Sequence, residues 1–328
     1  MGPDPAVAQL RRAVRAALTG SSRQVFVACS GGADSLALAA ALAFEAPRAG
    51  VSAGLVTVDH GLQPGSSVQA ARVAALGYEL GLDPVENVTV SVSRTGGPEA
   101  AARSARYAAL DSLATAWNAD MMLGHTLDDQ SETVLLGLGR GSGPRSIAGM
   151  RPRAGRYLRP LLGVRRATTV AACRALGFEP WDDPQNADPA FQRVRLRGEV
   201  LPLLEDVLKG GVAEALARTA AQLQDDLDAL DELAASVIST PVSTPGREPG
   251  RVDHVVVASV AELPRALRTR VLRRWALDGG VPELGAGHLA VLEALIVDWH
   301  GQGPVDLPGG VRVARVSGRL ELHRPDPS

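Results

Sequence analysis

A glycine-rich turn that contains an aspartate is the segment of this chain best suited to chemistry. It is Ser30–Ser35, with the sequence Ser-Gly-Gly-Ala-Asp-Ser, and it follows the apolar run Val25–Cys29. A turn between a strand and a helix exposes backbone N–H groups at the helix N-terminus, which favour phosphate. The two glycines let the backbone approach a ligand closely, and the serine hydroxyls can add donors. The turn therefore predicts a nucleotide phosphate site.

Asp34 distinguishes this turn from commoner phosphate loops. The chain has no G-x-x-x-x-G-K-[ST] sequence, and its single lysine, Lys209, is far along the chain. A carboxylate about 4 Å from a phosphate charge costs on the order of 4 kcal/mol at an effective dielectric near 20. A helix N-terminus returns only about 0.3–2 kcal/mol. A cation should therefore mediate, and we expect Mg²⁺ there, with Asp34 as its candidate ligand.

A second group of reactive side chains comprises His125, Asp129 and Glu132. Asp129 and Glu132 are three residues apart, so they share one face of a helix. The spacing alone fits helix capping as well as acid–base chemistry, and both interpretations stay open at this point. If the pair is functional, Asp128 becomes the expected cap. His125 fits an ordinary loop histidine or a contact to phosphate or to a transition state.

The elements that position these residues follow an α/β pattern. Predicted strands are Val25–Cys29, Val51–Val58, Val85–Val92 and Met121–Leu123, and predicted helices are Ser35–Ala46, Ser66–Leu80, Glu99–Trp117 and Asp128–Leu138. This alternation predicts βαβ units on a doubly wound, Rossmann-like parallel sheet with helices on both faces. Ligands of such sheets lie beyond the carboxyl ends of the strands. The glycine turn, Asp59-His60 and His125 all follow predicted strands there.

The character of the sequence changes near Leu201. Predicted helices are Val212–Ile238, Arg265–Leu277 and Gly287–Trp299, and predicted strands are Val252–Val257 and two or three short ones within Gly303–Leu322. Thr240–Gly250, rich in Pro, Ser, Thr and Gly, predicts a linker or loop. We expect two domains, a catalytic domain over 1–205 and a helical linker with a small α+β domain over 206–328.

Composition excludes several classes of protein. The two cysteines, Cys29 and Cys173, are far apart and form no C-x-x-C pair, which argues against a disulfide framework, a zinc ribbon or an iron–sulfur site. No apolar run approaches eighteen residues, so we expect a cytoplasmic protein with no membrane partner. The formal net charge of −2 indicates no nucleic-acid partner globally. The sequence leaves the oligomeric state, including a homodimer, open.

One long segment nevertheless favours a polyanion. Between Glu132 and Glu179 there is no acidic residue, and the arginines there are Arg140, Arg145, Arg151, Arg153, Arg156, Arg159, Arg165, Arg166 and Arg174. Arginine dominates the basic residues of the whole chain, so several of these are ordinary surface residues. The absence of acids over such a length still predicts a track for a nucleic-acid backbone.

The glycine turn resembles the pyrophosphate-binding loop of the N-type ATP pyrophosphatases, a superfamily that adenylates an oxygen and then displaces AMP with a nucleophile. Further segments resemble, in order, the bacterial tRNA(Ile)-lysidine synthetase family. They are Asp59–Leu62 with Ser66-Ser67, Glu99–Arg103 with Arg106-Tyr107, Gly124–Thr133 running on to Gly149-Met150, and Arg159–Leu162 with Trp181–Asn186 and Arg193–Arg197. The tail, Leu307–Val313 with Gly318–Leu320, resembles that family's first C-terminal domain, as in its short form. Val194 departs from the pattern, because the family usually has Asn there.

The resemblance implies a reaction. ATP, with Mg²⁺, adenylates O2 of the wobble cytidine in the CAU anticodon of tRNA(Ile), and free lysine attacks C2 to give lysidine, AMP and pyrophosphate. The expected catalytic residues are Asp34, Arg103, His125, Asp129 and Glu132. The expected ATP-binding residues are Ser30, Gly31, Gly32, Ala33, Asp34, Ser35, Asp59 and His60, and the expected tRNA-binding residues are Arg106, Arg140, Arg145, Arg193 and Arg197. Asp129 and Glu132 would bind the ammonium groups of lysine or deprotonate its attacking amine.

Three other functions fit parts of the pattern. A tRNA 2-thiolation enzyme shares the glycine turn but normally needs paired cysteines. A small-molecule amidotransferase-type synthetase would need an N-terminal Cys nucleophile or a glutaminase domain. A non-catalytic nucleotide or RNA module would not need Asp34, Asp129 and Glu132 together.

Overall fold

The apolar runs of the first half form one sheet. The structure, a computed structural model, describes residues 2–61, 65–91, 98–141, 143–181, 188–238 and 254–324. The strands are β1 (Gln24–Ala28), β2 (Ser52–Asp59), β3 (Val85–Thr89), β4 (Asp120–Leu123), β5 (Arg153–Ala154) and β6 (Tyr157–Leu158). Their order is β3-β2-β1-β4-β6-β5, with β5 antiparallel to β6 and the other neighbouring pairs parallel. The predicted α/β class is confirmed.

Helices cover both faces of this sheet. The helices of this part of the chain are α1 (Pro5–Leu18), α2 (Ala33–Ala49), α3 (Ser66–Glu79), α4 (Pro98–Ala116), α5 (Leu127–Arg140), α6 (Pro144–Ile147), α7 (Arg166–Leu176), α8 (Gln192–Arg195), α9 (Leu201–Val207) and α10 (Val212–Ile238). Leu10 of α1, Leu42 of α2 and Ala172 of α7 belong to one buried cluster with β1. Leu110 of α4 belongs to a second cluster, around Phe26. Burial of these apolar faces is what stabilises the layers.

The chain changes direction across the sheet at β1. Strands β2 and β3 lie on one side of β1, and β4 lies on the other, paired with β1 from Val25 to Ala28. A switch of this kind leaves a crevice at the carboxyl ends of the two central strands. The loops after β1 and β4 border that crevice, and they carry Ser30–Ser35 and His125.

A second unit follows. The chain divides into Met1–Ala221 and Gln222–Ser328, a division that falls within α10. The second unit contains β7 (His254–Val256), α11 (Val257–Ala261), α12 (Arg265–Asp278), α13 (Ala286–Val297), β8 (Val305–Leu307), β9 (Val311–Val316) and β10 (Arg319–His323). Its strands form an antiparallel sheet in the order β7-β10-β9-β8, packed around Trp275, Leu272 and Leu292. The linker predicted at Thr240–Gly250 lies outside the described residues.

Two further expectations concern the cysteines and membrane-spanning helices. Both cysteines are free and buried. Within the described ranges, no helix has the length and apolarity that crossing a membrane requires.

Candidate active site

The glycine turn lies between β1 and α2, and each glycine has a structural reason. Gly31 has φ +88°, a backbone conformation that favours glycine, and a Cβ on it would displace the end of the Gln69 side chain. Gly32 is the N-cap of α2, which therefore begins at Ala33, inside the turn. The first N–H groups of a helix have no partner within it. Those of Ala33, Asp34 and Ser35 thus form a cradle suited to an anion.

The two serines of the turn differ in their availability. Ser35 is buried, and its Oγ accepts from Ser30 N at 3.2 Å and donates to Gly32 O at 3.0 Å. Ser30 is exposed. The Ser35 hydroxyl therefore maintains the shape of the turn, whereas the Ser30 hydroxyl is accessible to a ligand.

The Asp34 carboxylate in the turn has two partners on α7. Its Oδ1 accepts a short hydrogen bond from the Thr169 hydroxyl, and its Oδ2 lies 3.1 Å from Nε of Arg166. Arg166 also donates from NH2 to Oδ1 of Asp129 at 2.6 Å. One guanidinium thus joins the glycine turn to α5 and supplies a cation beside Asp34, the position at which sequence reasoning expected only Mg²⁺.

Asp129 performs a capping role as well as facing the site. Thr126 is the N-cap of α5, and Oδ2 of Asp129 accepts from both its N–H and its hydroxyl at 2.8 Å, which completes a capping box. The expectation that Asp128 caps this helix is wrong. Asp128 instead accepts from the backbone N–H of Arg166, the first residue of α7, at 2.7 Å. The Oδ1 atom of Asp129 is left facing Arg166 and Arg197.

Glu132 is fully buried between two arginines. Its Oε1 accepts from Nε of Arg197 at 2.8 Å, and its Oε2 lies 3.5 Å from NH1 of Arg193. Arg197 also reaches Asp129, with NH2 3.6 Å from Oδ1. The segment between α8 and α9, Leu196–Val200, is a π-helical turn, a feature that often occurs at functional sites. A single cation thus already lies between the two carboxylates.

The electrostatics of the three carboxylates differ. Burial raises the pKa of Asp34 above its ordinary value, with Arg166 opposing this effect. Burial would also raise the pKa of Asp129, but Arg166 and the hydrogen bonds from Thr126 hold it below its ordinary value. Burial raises the pKa of Glu132 despite Arg197. Asp129 is therefore the fixed anion, and Glu132 is the carboxylate better suited to accept a proton.

His125 lies among cationic residues. Three buried nitrogen atoms here have no hydrogen-bond partner among the residues the structure describes: Nδ1 of His125, Nε of Arg106 and Nε of Arg159. The guanidinium carbons of Arg103 and Arg106 lie 5.0 and 5.5 Å from the ring centre of Tyr107. Burial lowers the pKa of His125 to about 4, and the nearby arginines act in the same direction. The His125 ring is therefore neutral at pH 7. Together with the neighbouring arginines, it is suited to stabilise a negative charge that develops during a reaction.

We predict that His125 makes the protein sensitive to acid. Its folded pKa is about 4 against an ordinary 6.5, so below pH 6.5 the unfolded chain binds a proton that the folded chain rejects. Stability should fall as pH decreases from 6.5 to 4, by about 2 kcal/mol once the partial exposure of the ring is allowed for. Urea unfolding of the parent and of His125→Gln at several pH values measures this contribution. Identical pH slopes would contradict it.

Asp59 and His60 lie at the carboxyl end of β2. Asp59 is buried and accepts from the N–H of Gly61 at 2.9 Å, which shapes the turn after the strand. His60 has a buried Nδ1 with no partner in the described part of the chain. The strand order places both residues beside the loop after β1, and Leu62 of the same segment lies outside the described residues.

The carboxylates do not form a ready-made magnesium cage. The oxygens of both side chains are already engaged. Asp34 accepts from Thr169 with Oδ1 and forms an ion pair with Arg166 through Oδ2, and Asp129 accepts from Arg166 and from Thr126. No group of three or more His, Cys, Asp or Glu side chains that could hold a metal occurs within the described ranges. Mg²⁺ commonly binds through one or two carboxylates together with substrate phosphates and water. The residues fit only an ion of that kind, brought by the nucleotide.

The arginines of the acid-free segment are more engaged than the sequence indicates. Arg153 pairs with Asp120 at 3.2 Å, Arg156 donates to Ala119 O at 3.3 Å, and Arg165 lies 3.3 Å from Asp128. Arg140 and Arg145 are exposed. The surface available to a phosphate backbone is therefore narrower than the whole segment.

Sequence reasoning missed several residues of the site. Arg166 and Thr169 of α7 carry no local signal, because only folding brings them to Asp34. Thr126 had one, since Thr followed three residues later by an acid before an apolar run is a capping signature. The segment Asp182–Asn186, part of the family resemblance, lies outside the described residues.

Comparison with known proteins identifies the class of this site. A family model described as the PP-loop domain matches residues 6–204, and one described as the TilS substrate binding domain matches residues 257–321. The U34-tRNA thiolase NcsA from Methanococcus maripaludis has a similar fold, with a TM-score of 0.56, 17% identity, and coverage of 67% of this chain and 79% of that one. The glycine turn, the sheet and the family model together define a PP-loop ATP-using protein.

Full-length relatives narrow the class to one family. The tRNA(Ile)-lysidine synthase of Thermobifida fusca (strain YX) is 56% identical over 97% of this chain and 98% of that protein. The enzyme of the same name from Leifsonia xyli subsp. xyli (strain CTCB07) is 55% identical over 91% of this chain and 89% of that protein. The chain belongs to the tRNA(Ile)-lysidine synthase (synthetase) family.

Proposed function

We propose that the chain is a carbon–nitrogen ligase that converts the wobble cytidine of tRNA(Ile) into lysidine. ATP adenylates O2 of that cytidine in the CAU anticodon and releases pyrophosphate. The amine of free lysine then attacks C2, and AMP leaves. Activation splits one difficult substitution into two feasible ones, with the activating group on the substrate. The observation that carries the proposal is the network of Asp34, Asp129 and Glu132 with arginines beside the phosphate cradle.

The glycine turn would bind the β- and γ-phosphates of ATP. The N–H groups at the start of α2 and the accessible Ser30 hydroxyl are its donors, with Asp59 and His60 on the adjoining loop. Arg166 and Asp34, which pair beside these donors, would contact the α-phosphate. Mg²⁺ would neutralise the phosphates and take at most one oxygen from Asp34. ATP that bound and reacted normally in metal-free buffer would contradict that role for Mg²⁺.

Asp129 and Glu132 would bind and activate lysine. Arg197 shows that a cation fits between them, since it contacts Glu132 at 2.8 Å and Asp129 at 3.6 Å. An ammonium group of lysine would take this place when Arg197 moves aside. Asp129, with the lowered pKa, would stay ionised and bind the ammonium, and Glu132, with the raised pKa, would accept the proton of the attacking amine.

His125 and Arg103 would act on the charge that develops during transfer. His125 is neutral at pH 7, so its ring can donate a hydrogen bond without carrying a fixed charge that binds product strongly. Arg103 and Arg106 extend from α4 toward the same region, and their positive charge lowers the pKa of His125. Donors arranged before the reaction stabilise a transition state without reorganising.

The tRNA backbone would be bound by Arg106, Arg140, Arg145, Arg193 and Arg197. Arg193 and Arg197 are 41% and 34% exposed, so phosphate would compete with Glu132 for them. If about four phosphates are neutralised, affinity should fall about 10²-fold between 50 and 200 mM salt. Filter binding of a CAU-anticodon tRNA across this range measures it. An affinity independent of salt would remove these arginines from the interface.

The cysteines disfavour a thiolation enzyme. Burial raises the pKa of Cys29, and burial with nearby Asp34 raises that of Cys173 to about 11. Cys29 Sγ lies 3.6 Å from Ser35 Oγ, and Cys173 Sγ lies 3.3 Å from Ala33 O. Both thiols thus stay protonated and pack beneath the glycine turn.

One assay tests the whole proposal. The protein is incubated with ATP, radiolabelled lysine and a CAU-anticodon tRNA(Ile) transcript, and both RNA-bound label and AMP are measured. We expect both products, and we expect both to disappear when uridine replaces the wobble cytidine. Label in the uridine transcript, or AMP without any labelled RNA, would count against the assignment. Size-exclusion chromatography with light scattering on the same sample tests for a homodimer.

A further inference from the structure

Gln130 lies on α5 between the two carboxylates of the site, but it points to another segment. It is 4% exposed. Its Nε2 donates to Met150 O at 2.9 Å, and its Oε1 accepts from Met150 N at 2.7 Å. One side-chain amide thus pairs with both backbone groups of a single residue, as a neighbouring β-strand would. Both bonds are largely shielded from water, which makes their loss costly.

Gly149 is built to allow this contact. Its φ is +62°, and a Cβ on it would lie 2.8 Å from the Nε2 and Oε1 atoms of Gln130. A side chain at this position would be strained by the backbone conformation and would also collide with the amide. Gln130 and Gly149 therefore act as two halves of one clamp.

Two further contacts attach the same segment. Gly137 of α5 packs so closely on residue 146 that a Cβ on it would collide with Ser146 O, and the Ser146 hydroxyl donates to Gly137 O at 3.1 Å. Arg159 donates from NH1 to Arg151 O at 2.9 Å. Residues 144–151 are therefore attached to α5 at Gln130 and Gly137, and to Arg159, which follows β6. This segment carries Arg145 and Arg151 in the acid-free stretch.

We propose that Gln130 is a positioning residue for the RNA substrate. The clamp fixes residues 144–151 on the same helix that carries Asp129 and Glu132, so an RNA backbone on that segment lies at a set distance from the carboxylates. A segment that is ordered before binding avoids the entropy cost of ordering it on the RNA. The inference rests on the proposed function, because it specifies how that site receives its tRNA.

The test separates binding of tRNA from binding of the small substrates. Gln130→Met keeps the size of the side chain and removes both hydrogen bonds, and Gly149→Ala breaks the clamp from the other side. Each variant should raise the KM for tRNA about 10-fold. The KM values for lysine and ATP should stay within about twofold of the parent. Because both changes remove one contact, the double variant should be no worse than either single variant.

A control and a second measurement distinguish positioning from general damage. Val14→Ala removes buried volume from α1, a helix that carries none of the site residues, and should lower stability without changing the KM for tRNA. Trypsin should cut after Arg145 faster in both clamp variants than in the parent or in Val14→Ala. A raised KM for lysine, a loss confined to kcat, additive effects in the double variant, or unchanged cleavage would each overturn the proposal. A failure of the proposed function would appear separately, as absence of lysine incorporation by the parent.

Discussion

Asp34→Ala should reduce the rate of AMP formation about 10³-fold, the size of effect found when one preorganised charge-stabilising group is removed. The carboxylate connects the start of α2 to Arg166 and Thr169, so its loss removes the group that orients the guanidinium beside the phosphate cradle. Arg166 would then pair with Asp129 alone, and its positive charge would no longer be held beside the phosphate cradle. Single-turnover formation of AMP from α-labelled ATP, with saturating lysine and tRNA, measures the change.

Thr169→Val is the matched control for this prediction. It keeps the Asp34 carboxylate and its pair with Arg166 and removes only the hydroxyl that Asp34 accepts from. We expect a loss of about 10- to 100-fold, smaller than that of Asp34→Ala, because a hydrogen bond to a charged group contributes about 1.5–3 kcal/mol and the pair with Arg166 remains. Asp34→Ala with a rate within threefold of the parent would show that the turn does not act through its aspartate. Circular dichroism of both variants excludes a loss of fold as the cause.

Glu132→Gln should abolish lysine transfer while leaving the adenylation step in place. Glu132 is fully buried, its pKa is raised by burial, and Arg197 contacts it at 2.8 Å. Without a carboxylate there, the attacking amine has no base, and loss of a general base costs typically 10²–10⁴-fold. In a rapid-quench experiment with α-labelled ATP, label should accumulate on the tRNA as the adenylate. Lysine should fail to discharge it.

Glu45→Gln separates this chemical effect from loss of a buried charge. Glu45 is also buried and also accepts from an arginine, Arg15, at 2.8 Å, but this pair joins α1 to α2. Both variants should lose stability, by about 1–3 kcal/mol when the exposure of their arginines is allowed for. Glu45→Gln should transfer lysine at the parental rate. Equal losses in both steps for Glu132→Gln would indicate that the residue is structural.

Local sequence signals were sufficient for the scaffold of the site. A buried apolar run, two glycines and a helical stretch located β1, the turn and α2, because each depends on neighbours in sequence. The two or three short strands predicted within Gly303–Leu322 correspond to β8, β9 and β10. Helix α2 begins two residues earlier than predicted, since Gly32 is its N-cap.

The contacts that give the site its electrostatics could not be predicted in the same way. Arg166 is one arginine among many in the acid-free segment, and only the packing of α7 on α2 brings it to Asp34. Capping does not exclude a place in the candidate site for Asp129, because its two oxygens have different partners. The residue uses Oδ2 for Thr126 and Oδ1 for Arg166. Contacts between side chains this far apart in the chain leave no periodic pattern in the sequence.

In the proposed reaction, the oxygen at C2 of the wobble cytidine leaves bound to the α-phosphorus of ATP. A CAU-anticodon tRNA(Ile) with ¹⁸O at that position, reacted with ATP and lysine, tests it by mass spectrometry of the released nucleotide. We predict AMP that carries one ¹⁸O atom in stoichiometric amount with lysidine. Unlabelled AMP, or ADP with orthophosphate, would contradict activation through this oxygen.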